Sequence, residues 1–489
     1  MTTRTHFDDN RIKDDVREYY RYGMFSHKWE NNEPLFEMVT RKAVYGLEES
    51  PTHHKLRMFC KIVKDAGLHW AWSDTCCINK ADHFVLQEAL VSMFKWYEGS
   101  TVTVVFLLDV PSRSLKDSIW NKRAWTFQEY HASKVVRFYT KDWTLYRNID
   151  VHNHKKSPDI ISEMKEATGV SAEALEALRP GLESIREKLC LASTRESYYV
   201  EDAAYSLLGI FTVTLPVVYG DGNKALGQLL AKLLTSSGDT SILAWTGKSG
   251  GFNSCLPAHI NVFNQLYPPH IPTSVSTAKM RTSSLDTTLA TKLYDRLHEL
   301  PVASFQEKRM KLPCLTFKVN RLSVTQTTSE CALSTDALGT VEITTTEDLS
   351  RLDSMILVHP WVDYLLDRRP VGDISTGELS LSHVPSNIAP VISPTPRMGW
   401  NLRRAFSRPT SPPSPAPSFQ THSPPDKLTP ALEVFARLKQ PFGAMLFAPV
   451  RRNVAEYRRV AADSMITVQV QEDVPLSMLI DNTRMLDVL

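Results

Sequence analysis

The sequence predicts an α/β fold with a flavodoxin-like parallel sheet over about residues 15–150 of the 489-residue chain. Three observations lead to this prediction. Short apolar runs alternate with amphipathic ones between residues 20 and 140. Val102–Leu108 (VTVVFLL) is a continuous apolar run, as in a strand that is buried on both faces. Helical segments that join consecutive strands favour parallel pairing, with helices on both faces of the sheet.

The elements of this region follow one another in the order βαβαβαβ. The helix over Phe84–Tyr97 has the clearest periodicity, because four apolar residues from Leu86 to Tyr97 recur at helical spacing. Asp82 precedes this helix as an N-cap, and Gly67 ends the helix before it. The predicted strands are Tyr22–Ser26, His69–Ser73, Val102–Leu108 and Val135–Tyr139, and the predicted helices are Lys55–Ala66, Phe84–Tyr97 and Trp120–His131.

Four further regions are predicted beyond the α/β region. Residues 151–250 are expected to form a mainly helical extension, and residues 251–384 and 431–489 a β-rich C-terminal region. Residues 385–430 are expected to be a disordered insert, because they hold 12 of the 29 prolines, many serines and few aliphatic side chains. The helical candidates are Ala172–Leu178, Leu182–Leu191, Val200–Leu208 and Lys224–Leu234, and the strand candidates are Cys314–Val319, Met355–Val358 and Met465–Val470.

Charge, cysteine usage and hydropathy exclude several classes of protein. The chain has 56 Lys and Arg against 54 Asp and Glu, a net charge of +2, so no nucleic-acid partner is expected. Seven cysteines without a CxxC pair favour reduced thiols and a cytoplasmic location over a disulfide framework. The N-terminus lacks the apolar core of a signal peptide, and Leu207–Tyr219, the most apolar run, is too short to span a membrane.

The common cofactor and metal motifs are absent from the sequence. It contains no phosphate-binding loop, dinucleotide-binding glycine motif, nucleophile elbow or zinc-protease motif. Cys76, Cys77 and His83 are close in sequence, but a fourth ligand is not evident. We therefore expect no resident cofactor and no metal.

Polar side chains occur where the predicted strands end. Ligands of open parallel sheets bind at the carboxyl ends of the strands, which meet at one edge. An indole there can stack on a base or a pyridine ring, and a carboxylate can accept hydrogen bonds from ribose hydroxyls. The predicted pocket, for a small polar ligand such as a nucleotide, consists of Ser26, His27 and Trp29 after the first strand, Asp74, Cys77 and Asn79 after the second, and Arg123, Trp125, Gln128 and Glu129 in the third helix.

The spacing in the third helix suggests a shared face, since Trp125 lies three and four residues before Gln128 and Glu129. The sequence leaves structural interpretations of the pocket residues open. These are a place in the core for Trp29 and Trp125, a satisfied buried imidazole for His27, a turn cap for Asp74 and an ion pair between Arg123 and Glu129.

Five sequence blocks, in order, resemble the fungal heterokaryon-incompatibility (HET) domain and the segment that often follows it. One departure is Glu30, where the family commonly has glycine. The blocks span about residues 20–250 and read YGMFSHKW with EPLFEM, WSDTCCINK, LQEALVSMFKWYEGSTVTVVFLLDV, KRAWTFQE, and TRESYYVEDAAYSLLGIFTVTLPVVYGDGNKALGQLL with DTSILAW.

The resemblance implies a role in fungal self/non-self recognition, in which HET domains act as innate-immunity effectors of programmed cell death. On this interpretation the chain is a signalling module that acts through protein partners or self-association. The family's topology is similar to that of Toll-type (TIR) domains, several of which cleave NAD through the glutamate of a W-C-x-x-E motif. Trp125–Glu129 (WTFQE) has the same spacing.

The alternative implied by the resemblance is therefore a TIR-like enzyme, with NAD as its substrate and Glu129 as its catalytic residue. A third interpretation leaves the HET-like region inactive. The C-terminal half then acts as a receptor or a dimerisation platform.

Overall fold

The computed structural model describes residues 15–16, 18–168, 178–264, 286–324, 330–352, 354–361, 428–451 and 455–489. The helical candidate over 172–178 lies almost wholly outside these residues. The insert predicted over 385–430 lies outside them up to residue 427, but its last three residues belong to the helix Leu428–Leu438. Pro430 falls in the first turn of that helix, where a missing N–H breaks no intrahelical hydrogen bond. The helix therefore begins before the predicted boundary.

The N-terminal region contains a four-stranded sheet in which all neighbouring strands are parallel, as predicted. The central strands are buried over most of their length, whereas Trp70 on the edge strand is exposed. The spatial order is β2-β1-β3-β4, with the strands β1 (Tyr22–His27), β2 (Trp70–Trp72), β3 (Val102–Leu107) and β4 (Val136–Thr140).

Three helices join the first three strands: α1 (Phe36–Arg41), α2 (Pro51–Asp65) and α3 (His83–Gly99). The Oγ of Ser50 caps α2 by accepting a hydrogen bond from the backbone N–H of His53. Asp82 caps α3 by accepting hydrogen bonds from the N–H groups of Phe84 and Val85, which confirms the predicted cap.

The third crossover consists of two helices, so the prediction of one continuous helix over Trp120–His131 is wrong. The helices α4 (Ile119–Lys122) and α5 (Ala124–Ala132) are separated by Arg123, whose φ of −79° and ψ of 140° are extended. The main chain of Glu196 hydrogen-bonds to the residues on either side of this break. The interruption is therefore imposed by a distant segment and has no local sequence signal.

The predicted extension is helical. The candidate over Val200–Leu208 divides into two short helices, whereas the candidates over 182–191 and 224–234 each correspond to one longer helix. The helices are α6 (Pro158–Thr168), α7 (Ile185–Ser193), α8 (Asp202–Tyr205), α9 (Leu208–Phe211) and α10 (Lys224–Ser237), with short 3-10 helices at Val44–Gly46, Tyr146–Asn148, His154–Lys156, Thr240–Leu243, Ile260–Asn264 and Leu349–Arg351.

The C-terminal region is β-rich, as predicted, and contains two sheets. One is three-stranded and antiparallel, in the order β7-β8-β9. The other has seven strands, and the pairing of β10 with both β6 and β11 closes five of them into a ring. The strands are β5 (Ser304–Gln306), β6 (Arg309–Lys318), β7 (Arg321–Val324), β8 (Glu330–Thr335), β9 (Gly339–Thr344), β10 (Ile356–Pro360), β11 (Phe442–Pro449), β12 (Glu456–Arg459), β13 (Ile466–Val468) and β14 (Thr483–Val488), and the helices are α11 (Thr287–His298), α12 (Leu428–Leu438) and α13 (Leu476–Asp481).

One apolar core joins the three ordered regions. The same cluster of buried side chains includes Met24 of β1, Leu208 of α9 and Val488 of β14. Gly209 of α9 packs directly on Phe94 of α3, and an added Cβ would lie 2.8 Å from the Phe94 Cγ. The sheet, the extension and the C-terminal ring therefore share their packing. Within the described ranges, no helix has both the length and the apolar character needed to cross a membrane.

Candidate functional site

The centre of the site is a buried hydrogen bond between Ser26 and Glu129. The Oγ of Ser26, at the end of β1, donates to the Oε2 of Glu129 on α5 at 2.5 Å. The indole Nε1 of Trp120 donates to the same Oγ at 2.7 Å. Glu129 is 4% exposed, and Ser26 and Trp120 are also buried. The structure thus brings two predicted site residues together and adds Trp120, which the sequence analysis did not select.

The surroundings of Glu129 raise the pKa of its carboxyl to about 7. Burial is the largest cause, and the negative charge of Asp74 acts in the same direction. The charges of Arg123 and Arg195 and the hydrogen bond from Ser26 lower the pKa and partly offset the rise. A carboxyl with this pKa can hold or release a proton near neutral pH, as a general acid or base must.

Arg195, from the extension, fixes the break between α4 and α5. Its guanidinium donates to the carbonyl oxygen of Arg123 and to the Oγ1 of Thr126, both at 3.0 Å, and to the Oδ1 of Asn121 at 3.3 Å. The side chain is buried, and burial lowers its pKa to about 10. The helix that carries Glu129 is therefore held by a residue outside the predicted α/β region.

A second contact joins the carboxyl ends of β1 and β2. The Nε1 of Trp29 donates to the Oδ2 of Asp74 at 2.8 Å, and the Nζ of Lys80 lies 3.5 Å from the centroid of the Trp29 ring. Burial raises the pKa of Asp74 and lowers the pKa of Lys80. The positive charge of Lys80 partly offsets the rise at Asp74, and the negative charge of Asp74 partly offsets the fall at Lys80. Trp29 is 41% exposed, so it does not belong to the core.

Arg123 links these two contacts to the main chain of β1. Its Nη1 donates to the carbonyl oxygen of His27. Its positive charge lowers the pKa of both Asp74 and Glu129. Among the ion pairs of the described residues, none joins Arg123 to Glu129 within 4.0 Å. Arg123 therefore acts on Glu129 through its field, and its hydrogen bond goes to the backbone.

His27 lies on the opposite face of the sheet from Ser26, because successive residues of a strand alternate between the faces. Its ring stacks on Phe25, with centroids 4.2 Å apart, and its Nε2 lies 3.7 Å from the Oε1 of Glu33. Glu33 also binds the Nζ of the buried Lys55. Burial, followed by the charge of Lys55, holds the pKa of His27 well below its usual range, so the ring is neutral.

Trp125 and Gln128, which helical spacing predicts to share a face with Glu129, contact partners other than Ser26. The Nε2 of Gln128 donates to the Sδ of Met93 at 3.5 Å, inside the core. Burial raises the pKa of Asp202 in the extension, and the side chain of Trp125 acts on that pKa in the opposite direction. The three side chains leave α5 toward three different elements, because the helix is surrounded by packed structure.

Cys77 and Asn79 form contacts within the loop that carries Asp74. The backbone N–H of Ser73 donates to the Sγ of Cys77 at 3.4 Å, and the Oδ1 of Asn79 accepts from the N–H of Ala81 at 3.2 Å. In the described part of the chain, no group of three or more His, Cys, Asp or Glu side chains is arranged to hold a metal ion.

Comparison with known proteins identifies the family of the N-terminal region. Residues 22–115 match the family model of the heterokaryon incompatibility protein (HET). The chain carries a HET domain. Over 228 residues the chain is 30% identical to the vegetative incompatibility protein HET-E-1 of Podospora anserina. The aligned segment makes up 43% of this chain and 16% of that protein. The alignment therefore leaves most of that relative's length unmatched. No solved structure matches the chain.

The HET match ends before several residues that complete the site. Ser26 and Asp74 lie within residues 22–115, whereas Trp120, Glu129 and Arg195 lie beyond them. The resemblance of the KRAWTFQE block had indicated Glu129. Arg195 belongs to the TRESYYVED block, but nothing in that block indicates that its guanidinium is buried against α5. The side chains that hydrogen-bond to Ser26 of β1 are Trp120 and Glu129, so they come from the segment that follows the matched residues 22–115.

Proposed function

We propose that the protein is a HET-type effector of fungal heterokaryon incompatibility, acting in the cytoplasm as a signalling module of self/non-self recognition that triggers programmed cell death. The observation that carries the proposal is the HET match over residues 22–115. The identity to a relative named as a vegetative incompatibility protein supports it. The strand order β2-β1-β3-β4 is also in keeping with a flavodoxin-like and TIR-like topology.

The proposed mode of action is contact with protein partners or with a second copy of the chain. Two exposed aromatic side chains support this mode, since Phe84 at the start of α3 is 88% exposed and Trp29 lies exposed at the end of β1. Exposed apolar side chains near a polar rim are typical of interaction surfaces. Glu129, in contrast, is buried against Ser26 and suits a role in holding the end of β1.

Inducible expression of the full chain in fungal cells that lack it tests this proposal. We expect the wild type to reduce viability strongly and Phe84→Ser to reduce killing at an equal protein level. Tyr45→Ser is the matched control, because Tyr45 is an exposed aromatic residue (62%) on another surface segment and its loss should leave killing intact. Full viability of cells that accumulate folded wild-type protein would contradict the proposal.

NAD cleavage is the second candidate function, and Glu129 is the observation that favours it. A buried carboxyl with a pKa of about 7, close to the charges of Asp74 and Arg123, has the environment typical of a catalytic acid or base. In this proposal Glu129 contacts the nicotinamide ribose and stabilises an oxocarbenium-like transition state. NAD is then a substrate, and no resident cofactor is involved.

Incubation of the full chain with NAD, followed by measurement of nicotinamide release, tests the second candidate. The full chain is required because the HET domain shares its core with the C-terminal region. Release that is lost in Glu129→Gln but kept in Glu98→Gln, an exposed position on α3, would support catalysis. Absence of release at high protein concentration, or equal release from Glu129→Gln, would eliminate this candidate without affecting the killing experiment.

A further inference from the structure

A small cavity lies where the extension meets the C-terminal ring. Its volume is about 50 Å³, and its wall is formed by the 3-10 helix Thr240–Leu243, the residues that follow this helix, and the strands β10 to β13. Since about 10–15 Å³ of such volume holds one water molecule, the cavity has room for about four water-sized groups. This space suits a carboxylate with a short stem and is too small to enclose a nucleotide.

The side chain of Arg459 lines the cavity and is buried. Its Nη1 donates to the carbonyl oxygen of Leu243 at 2.7 Å, and its Nη2 donates to the carbonyl oxygen of Trp245 at 2.6 Å. The Cζ atom lies 3.9 Å from the centroid of the Trp245 ring. The two hydrogen bonds use two of the five N–H donors of a guanidinium, and the other three have no acceptor among the described residues.

The positive charge of Arg459 is not balanced by a carboxylate. Burial lowers its pKa to about 10, and the thiol of Cys255 acts in the opposite direction. That thiol is itself neutral near pH 7, because burial raises its pKa to about 12. In the part of the chain that the structure describes, no ion pair includes Arg459. Buried charges in proteins are normally paired, because an unpaired one loses its hydration without compensation.

The rest of the wall combines hydroxyl groups with apolar surface. Thr240 is buried, and its hydroxyl has no hydrogen-bond partner in the described ranges. Leu243, Met465 and Ile466 supply apolar surface. Ser464 also belongs to the wall and is exposed, so the cavity opens to solvent at the loop before β13.

We propose that this cavity is a binding site for a small organic anion, a carboxylate with a short apolar stem. The guanidinium of Arg459 binds the carboxylate through charge-assisted hydrogen bonds, the hydroxyl of Thr240 donates a further one, and the apolar wall covers the stem. The ligand supplies the counter-charge that the buried guanidinium lacks. The inference does not depend on the proposed function, because the cavity lies outside the HET match over residues 22–115.

A ligand in this cavity contacts two regions of the fold at once. Thr240 and Trp245 belong to the extension, whereas Arg459 lies on β12 of the C-terminal ring. A ligand that binds the folded state and not the unfolded chain stabilises the fold. We therefore expect the anion to raise the melting temperature of the full chain by holding the extension against the ring.

Thermal denaturation of the full-length protein with sodium butyrate tests the proposal. Butyramide has nearly the same shape without the charge, and sodium chloride at the same concentration controls for ionic strength. We expect butyrate to raise the melting temperature at least about twice as much as butyramide, because hydrogen bonds to charged groups are roughly twice as strong as neutral ones. A rise with butyrate no larger than that with butyramide or sodium chloride would overturn the proposal.

A variant of the charged residue tests its role directly. Arg459→Gln removes the charge and keeps an N–H donor for one of the two carbonyl oxygens. We expect this variant to respond equally to butyrate and butyramide. A response to butyrate as large as that of the wild type would overturn the assignment of Arg459.

A second variant leaves Arg459 in place and narrows the cavity, so that the test also holds if Arg459→Gln does not fold. Gly443 and Met465 both line the cavity, and a Cβ added at Gly443 would lie in ordinary contact, 3.8 Å from the Cε of Met465. Gly443→Ala should therefore fold and respond less to butyrate. Gly251→Ala is the matched control, because its Cβ also meets one neighbour, the Oδ1 of Asn223 at 3.8 Å, outside the cavity wall. Equal responses of the two glycine variants to butyrate would overturn the proposal.

Discussion

The Oγ of Ser26 and the Oε2 of Glu129 lie 2.5 Å apart and join the first strand of the HET domain to a helix 103 residues further along the chain. The hydroxyl donates to the carboxylate and accepts from the indole of Trp120, so both of its hydrogen-bonding roles are used. This pair couples the protonation of Glu129 to the position of β1, and stability measurements can detect the coupling.

Glu129→Gln should abolish a pH-dependent loss of stability. Folding raises the pKa of Glu129 from 4.5 to about 7, so between these values the folded protein holds a proton that the unfolded chain releases. The contribution of Glu129 to the free energy of unfolding should fall as the pH rises through this range, so the difference between the wild type and Glu129→Gln should change by on the order of 3 kcal/mol. Urea denaturation at several pH values measures the slope.

The control for this experiment is Glu98→Gln, since Glu98 is exposed on α3. This variant should keep the wild-type slope. An identical slope in the wild type and in Glu129→Gln would show that Glu129 does not titrate in this range.

Asp74→Asn should move the same transition to lower pH. The charge of Asp74 is the second-largest cause of the raised pKa of Glu129, and the amide removes the charge but keeps an acceptor for Trp29. The pH at which stability falls is therefore expected to decrease. The exposed Asp142 provides the control Asp142→Asn, which should leave the transition in place. A shift to higher pH in Asp74→Asn would be incompatible with the proposed electrostatic contact.

Arg195→Met should destabilise the fold by about 3 kcal/mol, because it leaves the buried carbonyl of Arg123 and the Oδ1 of Asn121 without their charged donor. Arg195→Lys should recover only part of this loss, since an ammonium cannot reproduce the planar fork of a guanidinium. Urea denaturation of both variants measures the effect, with Arg41→Met at an exposed position as the control. Wild-type stability of Arg195→Met would show that the extension does not hold α5.

Gly209→Ala should weaken the packing of the extension on the HET domain. The added methyl group would overlap the Cβ of Phe94 and lie 2.8 Å from its Cγ, and overpacking of this kind costs about 1–3 kcal/mol or more. Gly46→Ala is a matched control, because its nearest neighbours are atoms of the flexible Lys42 side chain at 3.5 Å. Thermal denaturation compares the two variants, and equal melting temperatures would refute the close contact.

Local patterns predicted most elements of the N-terminal sheet. The apolar run over 102–108 and the Asp82 cap correspond to observed elements because strand burial and helix capping are decided by nearby residues. The break at Arg123 was not predictable in this way. It depends on Glu196, which is remote in sequence and becomes a neighbour only in the folded chain.

The candidate site was predicted as a set of positions, but its contacts were not. Ser26 near the end of β1 contacts Glu129 of α5, and Asp74, which follows β2, lies close enough for its charge to raise the pKa of Glu129. Strand alternation separates His27 from Ser26, because consecutive residues of a strand point to opposite faces of the sheet. The role of Arg195 could not be predicted from the sequence, because the polar residues around it do not indicate whether its guanidinium is buried or exposed to solvent.

The core shared by Met24, Leu208 and Val488 also constrains how such chains can evolve. A recombination event at residue 150 or 250 would join two surfaces that had not been selected together, and the mismatch would lie in the protein interior. Chimeras between diverged homologues should therefore fold poorly unless both sides of the junction come from one parent. New surface properties would then arise more readily by substitution of exposed residues than by exchange of whole segments.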